Sequence, residues 1–203
     1  MYRNALGLAG VLFLLYPVLR PWTDETTTSG AHEAMSSNLW VVAHFAAMIG
    51  FVLVPLALLG LRDAIGLTPV AVMWVGAGLT LPYYGAEDFG LHAAATNGTN
   101  LLDVVDATRY NPVAITIFGV GLVMLAVGAV LVAIPLWRAG AANKYAAVVF
   151  AAGFVLFLPQ FFAPEPVRIA HGVLVLVGLV WLALTTSPPV RTPHARLRSQ
   201  SAA

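Results

Sequence analysis

The sequence predicts an all-α protein, a polytopic transmembrane helix bundle with six spans. Of its 203 residues, 60% are hydrophobic and only 9% are charged, and the mean hydropathy is +0.85. Several apolar runs approach the roughly 20 residues that cross a bilayer as a helix. The chain is long enough for about five or six such helices and short loops, so we expect residues 1–186 to form a single membrane domain.

The six predicted spans begin close to the start of the chain. They cover residues 5–21, 38–61, 69–93, 112–137, 145–162 and 167–186. The first resembles a signal peptide, but no compact small-residue cleavage site follows Tyr16, so we interpret it as an uncleaved span. Cleavage would leave five spans. Small residues at helical spacing predict close packing in the second, fourth and fifth spans. These residues are Ala43 and Ala47, Gly121 and Gly128, and Ala147 and Ala151.

The last two spans form one apolar stretch that prolines interrupt. Pro159, Pro164 and Pro166 predict a turn, because proline lacks a backbone N–H and clashes with the preceding helical turn. Two complete crossings on either side of this turn give six spans. A re-entrant hairpin has the same pattern and would give five.

Lysine and arginine divide unevenly between the two sides of the predicted bundle. Basic residues in short loops stay cytoplasmic. Six spans with cytoplasmic termini place seven of them inside: Arg3, Arg62, Arg138, Lys144, Arg191, Arg196 and Arg198. Arg20, Arg109 and Arg168 are then outside, whereas five spans would remove this bias. We therefore expect a multi-pass protein of the cell membrane with both termini cytoplasmic and a disordered basic tail at residues 187–203.

The composition excludes several functional classes. A formal net charge of +1 leaves no concentrated basic patch for nucleic acid. The absence of cysteine excludes disulfides, thiolate ligands and cysteine nucleophiles. Lys144, the only lysine, lies in a predicted cytoplasmic loop, which excludes a retinal-type Schiff base within the bundle. The sequence also lacks a glycine-rich phosphate loop and a His-Glu-x-x-His motif.

Acidic residues and histidines collect on the predicted outer side. Eight of the nine carboxylates and four of the five histidines lie there. Three helices bring such residues to a layer roughly 6 to 9 Å below their outer ends. The members of this layer are His44 in the second span, Glu87, Asp88 and His92 in the third, and His171 in the sixth. Because charge near hydrocarbon is costly, the layer predicts an outward-facing polar pocket, formed by these three helices and covered by the loop at 94–111.

The first functional hypothesis is a small membrane enzyme acting on a lipid or isoprenoid-like substrate. Adjacent carboxylates at an apolar helix end, Glu87 and Asp88, favour a shared proton and hence a general acid. The predicted catalytic residues are Glu87, Asp88, His44 and His171, with the histidines orienting substrate or relaying protons. The predicted substrate-binding residues are Tyr83, Tyr84, Trp40 and Arg168. Such an isomerase, cyclase or lyase needs no cofactor.

The second hypothesis is a membrane redox protein that binds a metal ion or haem. Asp88 and His92, four residues apart on one helix, can hold one cation, and histidines from two further helices would complete the site. Its predicted ligands are His44, Asp88, His92 and His171. One haem with His44 and His171 as axial ligands is the other form of this hypothesis.

The third hypothesis is a structural or transport subunit. Transport requires a polar path toward the cytoplasmic side, yet below the polar layer the helices are almost wholly apolar, with Thr80 and Thr116 among the few exceptions. The expected partner in all three cases is a membrane lipid or apolar small molecule rather than nucleic acid. A homo-oligomer is compatible with each.

The outer loops also carry specific expectations. In the loop at 94–111, we predict a surface helix on which Asp106 and Arg109 pair. Its apolar residues Leu101, Leu102 and Val105 are expected to face the membrane. Arg168 is expected to reach the interface or to pair with Glu165. The Thr-rich loop after the first span is expected to be a solvated connector.

Overall fold

A computed structural model describes residues 1–98 and 100–186 of the chain. Of these residues 86% are helical, and none of them forms a strand. The predicted all-α fold class is therefore confirmed for the described part of the chain. The predicted basic tail at 187–203 lies outside the described residues.

Eleven α-helices follow one another in the described residues. They are α1 (Tyr2–Leu19), α2 (Thr28–Met35), α3 (Asn38–Leu58), α4 (Arg62–Ile65), α5 (Leu67–Gly85), α6 (Leu91–Thr96), α7 (Leu101–Arg109), α8 (Pro112–Arg138), α9 (Ala141–Val155), α10 (Phe157–Gln160) and α11 (Glu165–Thr185). A 3₁₀ turn at Leu59–Leu61 extends α3, and a π-helical turn at Ala86–Gly90 joins α5 to α6.

Four helical segments are long and apolar enough to cross a membrane. They are Tyr2–Leu19, Asn38–Ile65, Pro112–Arg138 and Glu165–Thr185. Helix α5, with 19 residues, and α9, with 15, are not among these four, and α9 is shorter than a typical membrane-spanning helix. Large apolar side chains, such as Phe45 and Val127, are exposed on the outer helix faces. Four of the six predicted spans are thus supported by length and composition.

The six long helices pack as a closed ring. In the order α1, α3, α5, α8, α9 and α11, each helix packs on the next, and α11 packs back on α1. The Tyr2 hydroxyl donates a hydrogen bond of 2.6 Å to the Thr186 carbonyl, while Gly172 lies against Leu14, so α1 and α11 are antiparallel. Both ends of the described chain consequently lie at one end of the bundle.

Glycines bring the backbones of α5 and α8 into direct contact. A Cβ atom added to Gly121 would lie 2.7 Å from the Thr80 hydroxyl oxygen and 2.9 Å from the Gly76 carbonyl oxygen. At Gly128 it would lie 2.3 Å from the Met73 side chain. The close packing predicted from Gly121 and Gly128 is confirmed, and their lack of a side chain is the reason for it.

Aromatic side chains fill the interior of the ring, and we call them the aromatic core. Its members are Phe13, Phe51, Tyr84, Phe118, Phe154 and Phe157, from six different helices. The ring centroids of Phe13 and Phe51 are 4.9 Å apart, and those of Phe51 and Phe157 are 5.3 Å apart. These contacts are edge-to-face or tilted, which are the arrangements that aromatic pairs prefer.

Two helices break where the ring approaches its other end, which we call the polar end. Helix α5 stops at Gly85, before the end of the predicted third span. Helix α9 stops at Val155, and the short helix α10, which contains Pro159, leads to the turn before α11. The turn predicted from the prolines is confirmed, but the uninterrupted helix predicted for residues 145–162 is not.

Three short helices, α2, α6 and α7, cover the polar end, and we call them the cap. The Thr27 hydroxyl accepts a hydrogen bond from the Gly30 N–H and so begins α2. Ala31 and Met35 of α2 pack in a second buried cluster that includes Leu101 and Val105 of α7. The loop after α1 is therefore not a solvated connector. Leu101 and Val105 face this cluster rather than the membrane because the cap gives them a protein surface to cover.

Candidate functional site

A cavity of about 470 Å³ lies at the polar end, and Arg109 of α7 is the cap residue in its lining. Its charged residues are Arg20, Glu25, Glu87, Arg109 and Arg168. They come from the ends of α1 and α11, the connecting segments, the π-helical turn and α7. Buried charges require partners, so the contacts of these five residues define what the cavity can bind.

Arg109 occupies the centre of an ion-pair network. Its Nε and Nη2 atoms donate to the two carboxylate oxygens of Glu87, at 2.6 and 2.9 Å. The same guanidinium lies 2.8 Å from one carboxylate oxygen of Glu25, and the other oxygen of Glu25 accepts a hydrogen bond from Arg20 at 2.5 Å. Burial alone lowers the pKa of Arg109, but the two carboxylates outweigh burial and raise this pKa above its usual value. Arg109 therefore pairs with Glu87 and Glu25 and not with Asp106.

Trp40 contacts the ion-pair network on the side away from the cavity. It is fully buried and does not line the cavity, although the sequence predicts a role in substrate binding. Its indole N–H donates to the Glu87 carbonyl oxygen at 2.9 Å. The guanidinium carbons of Arg20 and Arg109 lie 4.8 and 5.9 Å from the Trp40 ring centroid. Trp40 thus fixes the backbone that carries Glu87 and provides cation–π contacts.

Arg168 lines the cavity without an ion pair among the described residues. Its Nε donates to the Ala163 carbonyl at 3.0 Å, and its Nη2 donates to the Phe161 carbonyl. The guanidinium carbon is 5.3 Å from the Trp22 ring centroid. The expected pairing with Glu165 is absent there because carbonyls at the end of the α10 turn occupy these donors. The sequence-based prediction that Arg168 binds substrate remains open.

His44 lines the cavity, and one of its ring nitrogens bonds to the backbone. Its Nδ1 lies 2.8 Å from the Trp40 carbonyl oxygen, and a carbonyl only accepts, so Nδ1 carries the proton. In the neutral ring, Nε2 then has a lone pair. The His44 ring packs against Tyr16 and Tyr84, with centroids 5.2 and 6.0 Å away. His44 can therefore accept a proton or a hydrogen bond from a bound molecule.

Tyr83 and Tyr84 both line the cavity. Tyr83 stacks on Phe118 at 4.2 Å between centroids, and its hydroxyl donates to the Arg109 carbonyl at 3.5 Å. The buried Tyr84 hydroxyl interacts with the side chain of Tyr16, which also lines the cavity. Tyr83 therefore positions α7, whereas Tyr84 pairs with Tyr16.

Glu87 and Asp88 are adjacent in sequence but have different surroundings. Both oxygens of Glu87 bond to Arg109 in the cavity wall. Asp88 is 0% exposed, does not line the cavity, and neither of its oxygens has a partner in the described part of the chain. The π-helical turn gives the two side chains these separate positions. The geometry does not favour a proton shared between them.

His92 and His171, the other two histidines predicted for the site, bind backbone carbonyls away from the cavity. His171 Nε2 donates to the Gly153 carbonyl and His92 Nδ1 to the Met35 carbonyl, at 2.8 and 2.7 Å. Neither residue lines the cavity. No group of three or more His, Asp or Glu residues in the described ranges is placed to hold a metal ion. The four predicted ligands His44, Asp88, His92 and His171 are therefore not brought together.

The helix packing also disfavours the haem form of the second hypothesis. Helix α1 packs against both α3, which carries His44, and α11, which carries His171. A haem between these two histidines would have to displace α1 and the Tyr16 ring beside His44. The predicted neighbourhood of the second, third and sixth spans is thus correct for α3 and α5, while α1 separates α11 from them.

Part of the cavity lining is apolar and faces outward, and we call this part the mouth. It consists of Ile115 and Gly119 of α8 and of Leu158 and Phe162 in and after α10. Phe162 is 87% exposed. Ile115 is 46% exposed and Leu158 is 38% exposed. The mouth therefore lies at the outer surface of the bundle.

Sequence reasoning assigned no site role to Arg20, Glu25 or Arg109. All three line the cavity and belong to its ion-pair network. The sequence did contain an indication for the arginines. Arg20, Arg109 and Arg168 are the three basic residues predicted on the outer side, opposite to the other seven. Basic residues that depart from this bias need a reason, and all three meet in one cavity.

The comparisons with other proteins add no assignment. The chain matches no protein-family model, no curated protein and no solved structure. Its function is therefore inferred from the cavity, which combines a charged inner wall, a histidine lone pair and an apolar side opening.

Proposed function

We propose that this chain is a multi-pass protein of the cell membrane that takes a lipid or isoprenoid-like molecule from the bilayer into the cavity and acts on it by acid–base chemistry. The observation that carries the proposal is the shape of the cavity. A charged wall at Arg109 and Glu87 is continuous with an apolar mouth between α8 and α10. An amphiphile matches this gradient, since its head can reach the wall while its tail stays in hydrocarbon.

In this proposal all six helices of the ring cross the bilayer. Helix α5 is about 28 Å long and α9 about 22 Å, and α10 continues the chain beyond α9. Because α1 and α11 are antiparallel neighbours, both ends of the described chain lie at the same end of the bundle, and this supports an even number of crossings. The bias in basic residues supports cytoplasmic termini, with the cavity at the outer end.

His44 is the proposed acid–base residue. Its Nε2 can accept a proton from a carbon or oxygen of the bound molecule and return it at another position, which is the chemistry of an isomerase, cyclase or lyase. Glu87 serves by holding Arg109 in the wall rather than by donating a proton. Asp88 and His171 act through the surrounding structure, because neither lines the cavity.

The other two hypotheses receive less support. The aromatic core lies across the interior below the cavity, which disfavours passage of a solute toward the other end. Metal binding lacks a cluster of suitable ligands in the described residues. Neither is proposed here as the function.

The first experiment measures uptake of farnesol, an uncharged isoprenoid alcohol, by native mass spectrometry of detergent-purified protein. Wild type should bind one molecule. Gly119→Phe should lose binding because the side chain enters the mouth, where an added Cβ meets no atom within 4 Å. Gly78→Phe on α5 is the matched control, since an added Cβ there also has open space and Gly78 does not line the cavity.

The same samples also test the proposed acid–base chemistry. Lipid extracted after incubation should contain an isomerised or dehydrated product for wild type, and His44→Gln should stop product formation while binding continues. Equal binding by wild type and Gly119→Phe would contradict uptake through the mouth. Unchanged product formation in His44→Gln would remove the acid–base role of His44.

A further inference from the structure

We propose that the molecule in the cavity carries an anionic head group, a carboxylate or a phosphate, which binds to Arg168 and Arg20. This inference rests on the proposed function and names the ligand class of the same site. Three features of the cavity support it: its charge balance, the unused donors of two arginines, and the position of these donors relative to the mouth.

The cavity wall has a surplus of positive charge. Three guanidinium groups, those of Arg20, Arg109 and Arg168, face two carboxylates, those of Glu25 and Glu87. Arg109 uses both carboxylates, and Arg20 shares one of them. Arg168 has no carboxylate within 4 Å among the described residues. One positive charge in a poorly solvated place is thus uncompensated, and an anion would compensate it.

Arg168 is held in place before any ligand arrives. The carbonyls of Ala163 and Phe161 fix two of its nitrogens, and the Trp22 ring lies along its guanidinium. Its Nη1 makes no hydrogen bond to any described residue. A guanidinium with a fixed orientation and free N–H groups is suited to an anionic oxygen.

Arg20 provides a second set of donors beside the same indole. Its guanidinium carbon is 4.6 Å from the Trp22 ring centroid, and that of Arg168 is 5.3 Å from it. Arg20 is 8% exposed, and its Nε is buried without a hydrogen-bond partner in the described part of the chain. Two arginines that flank one indole repel each other, so an anion near both relieves the repulsion.

The mouth continues from this pair toward the membrane. Phe161 contacts the Arg168 guanidinium, at 5.7 Å from its ring centroid, and the neighbouring Phe162 is largely exposed at the mouth. A head group at Arg168 therefore leaves its tail pointing along α10 and α8. This direction is the one required for a ligand that arrives laterally from the bilayer.

The test compares three compounds with the same 15-carbon chain: farnesol, farnesoic acid and farnesyl phosphate. Affinities are measured for purified wild type by the same mass spectrometric titration. Both anions should bind at least about tenfold more tightly than farnesol, as expected for charge-assisted hydrogen bonds. Preference for the phosphate or for the carboxylate identifies which of the two sources supplies the anion.

Two variants locate the effect. Arg168→Gln should remove most of the advantage of the anions, and Arg168→Lys should retain part of it because the charge remains. Arg138→Gln is the control, since Arg138 is exposed at the opposite end of α8 and should leave the advantage unchanged. Thermal melting of each variant verifies folding, and Arg168→Lys carries the test if Arg168→Gln melts early.

The outcomes separate the two proposals. Equal affinity of wild type for all three compounds would overturn the anionic head group and leave the proposed function standing. An anion advantage that is as large in both Arg168 variants as in wild type would overturn the assignment to Arg168. Failure of all three compounds to bind, farnesol included, would defeat the proposed function and this inference with it.

Discussion

The polar end and the interior of the ring below it are built from different interactions. At the polar end, Arg109, Glu87 and Glu25 form ion pairs around a cavity. In the interior, the aromatic core fills the same cross-section with rings in contact, such as Phe13 and Phe51. The same six-helix ring therefore supports an open polar site and a closed apolar core along its length.

This difference indicates which part of the bundle can bind a ligand. A molecule in the cavity would contact Tyr84 and Phe118, which belong to the aromatic core and line the cavity. Charge is concentrated at one level, where partners offset the cost of burial. The structure thus resembles a one-ended binding site more than a channel, and three experiments can break or sharpen that contrast.

The largest effect is expected from removing a ring of the aromatic core. Phe51→Ala deletes a fully buried side chain that contacts Phe13, Tyr84 and Phe157. We expect a loss of about 4 kcal/mol in unfolding free energy, as for large cavities in packed cores. Unfolding in detergent measures it. Phe45→Ala, on the same helix but 50% exposed, is the control, and an equal loss in both variants would contradict a closed core.

A smaller loss is expected from breaking the ion-pair network. Glu87→Gln leaves Arg109 with Glu25 as its remaining carboxylate, so we expect about 3 kcal/mol, near the lower end for a broken buried pair. Adding Arg109→Gln should recover part of the loss by removing the unpaired charge. Thermal melting of the single and double variants measures both. Additive losses would show that the two residues do not interact energetically.

The smallest perturbation tests which end of the bundle faces outward. The chain has no cysteine, so one introduced cysteine is a unique label. Ser29→Cys in the cap should react with a membrane-impermeant maleimide added to intact cells, whereas Ala139→Cys after α8 should react only after lysis. Both positions are exposed, and neither change should affect stability. The reverse labelling pattern would place the cavity on the cytoplasmic side.

Patterns that depend on neighbouring residues in the chain were informative. The prolines around residues 159–166 predicted the turn before α11, and Gly121 with Gly128 predicted a close helix contact. The predicted layer of acidic residues and histidines indicated that polar groups lie at one end of the bundle. Of the predicted site residues, His44, Tyr83, Tyr84, Glu87 and Arg168 line the cavity.

Other expectations depended on distant residues and failed for that reason. Glu87 and Asp88 are adjacent, but the π-helical turn and the arrival of Arg109 from α7 give them different environments. His171 lies one helix away from His44 because α1 closes the ring between α3 and α11. No local pattern reports which helix lies next to which.

The sequence by itself determined the helical class, the apolar character of the long segments, and the end of the bundle at which charge accumulates. These properties follow from composition and local spacing, because hydrophobicity and backbone geometry act within a few turns of helix. Only the tertiary structure decided that Arg20, Glu25, Glu87, Arg109 and Arg168 surround one cavity, and that the cavity opens between α8 and α10. Those features depend on the order of the helices around the ring and on where α9 ends. Both are decided by packing between residues that are far apart in the chain.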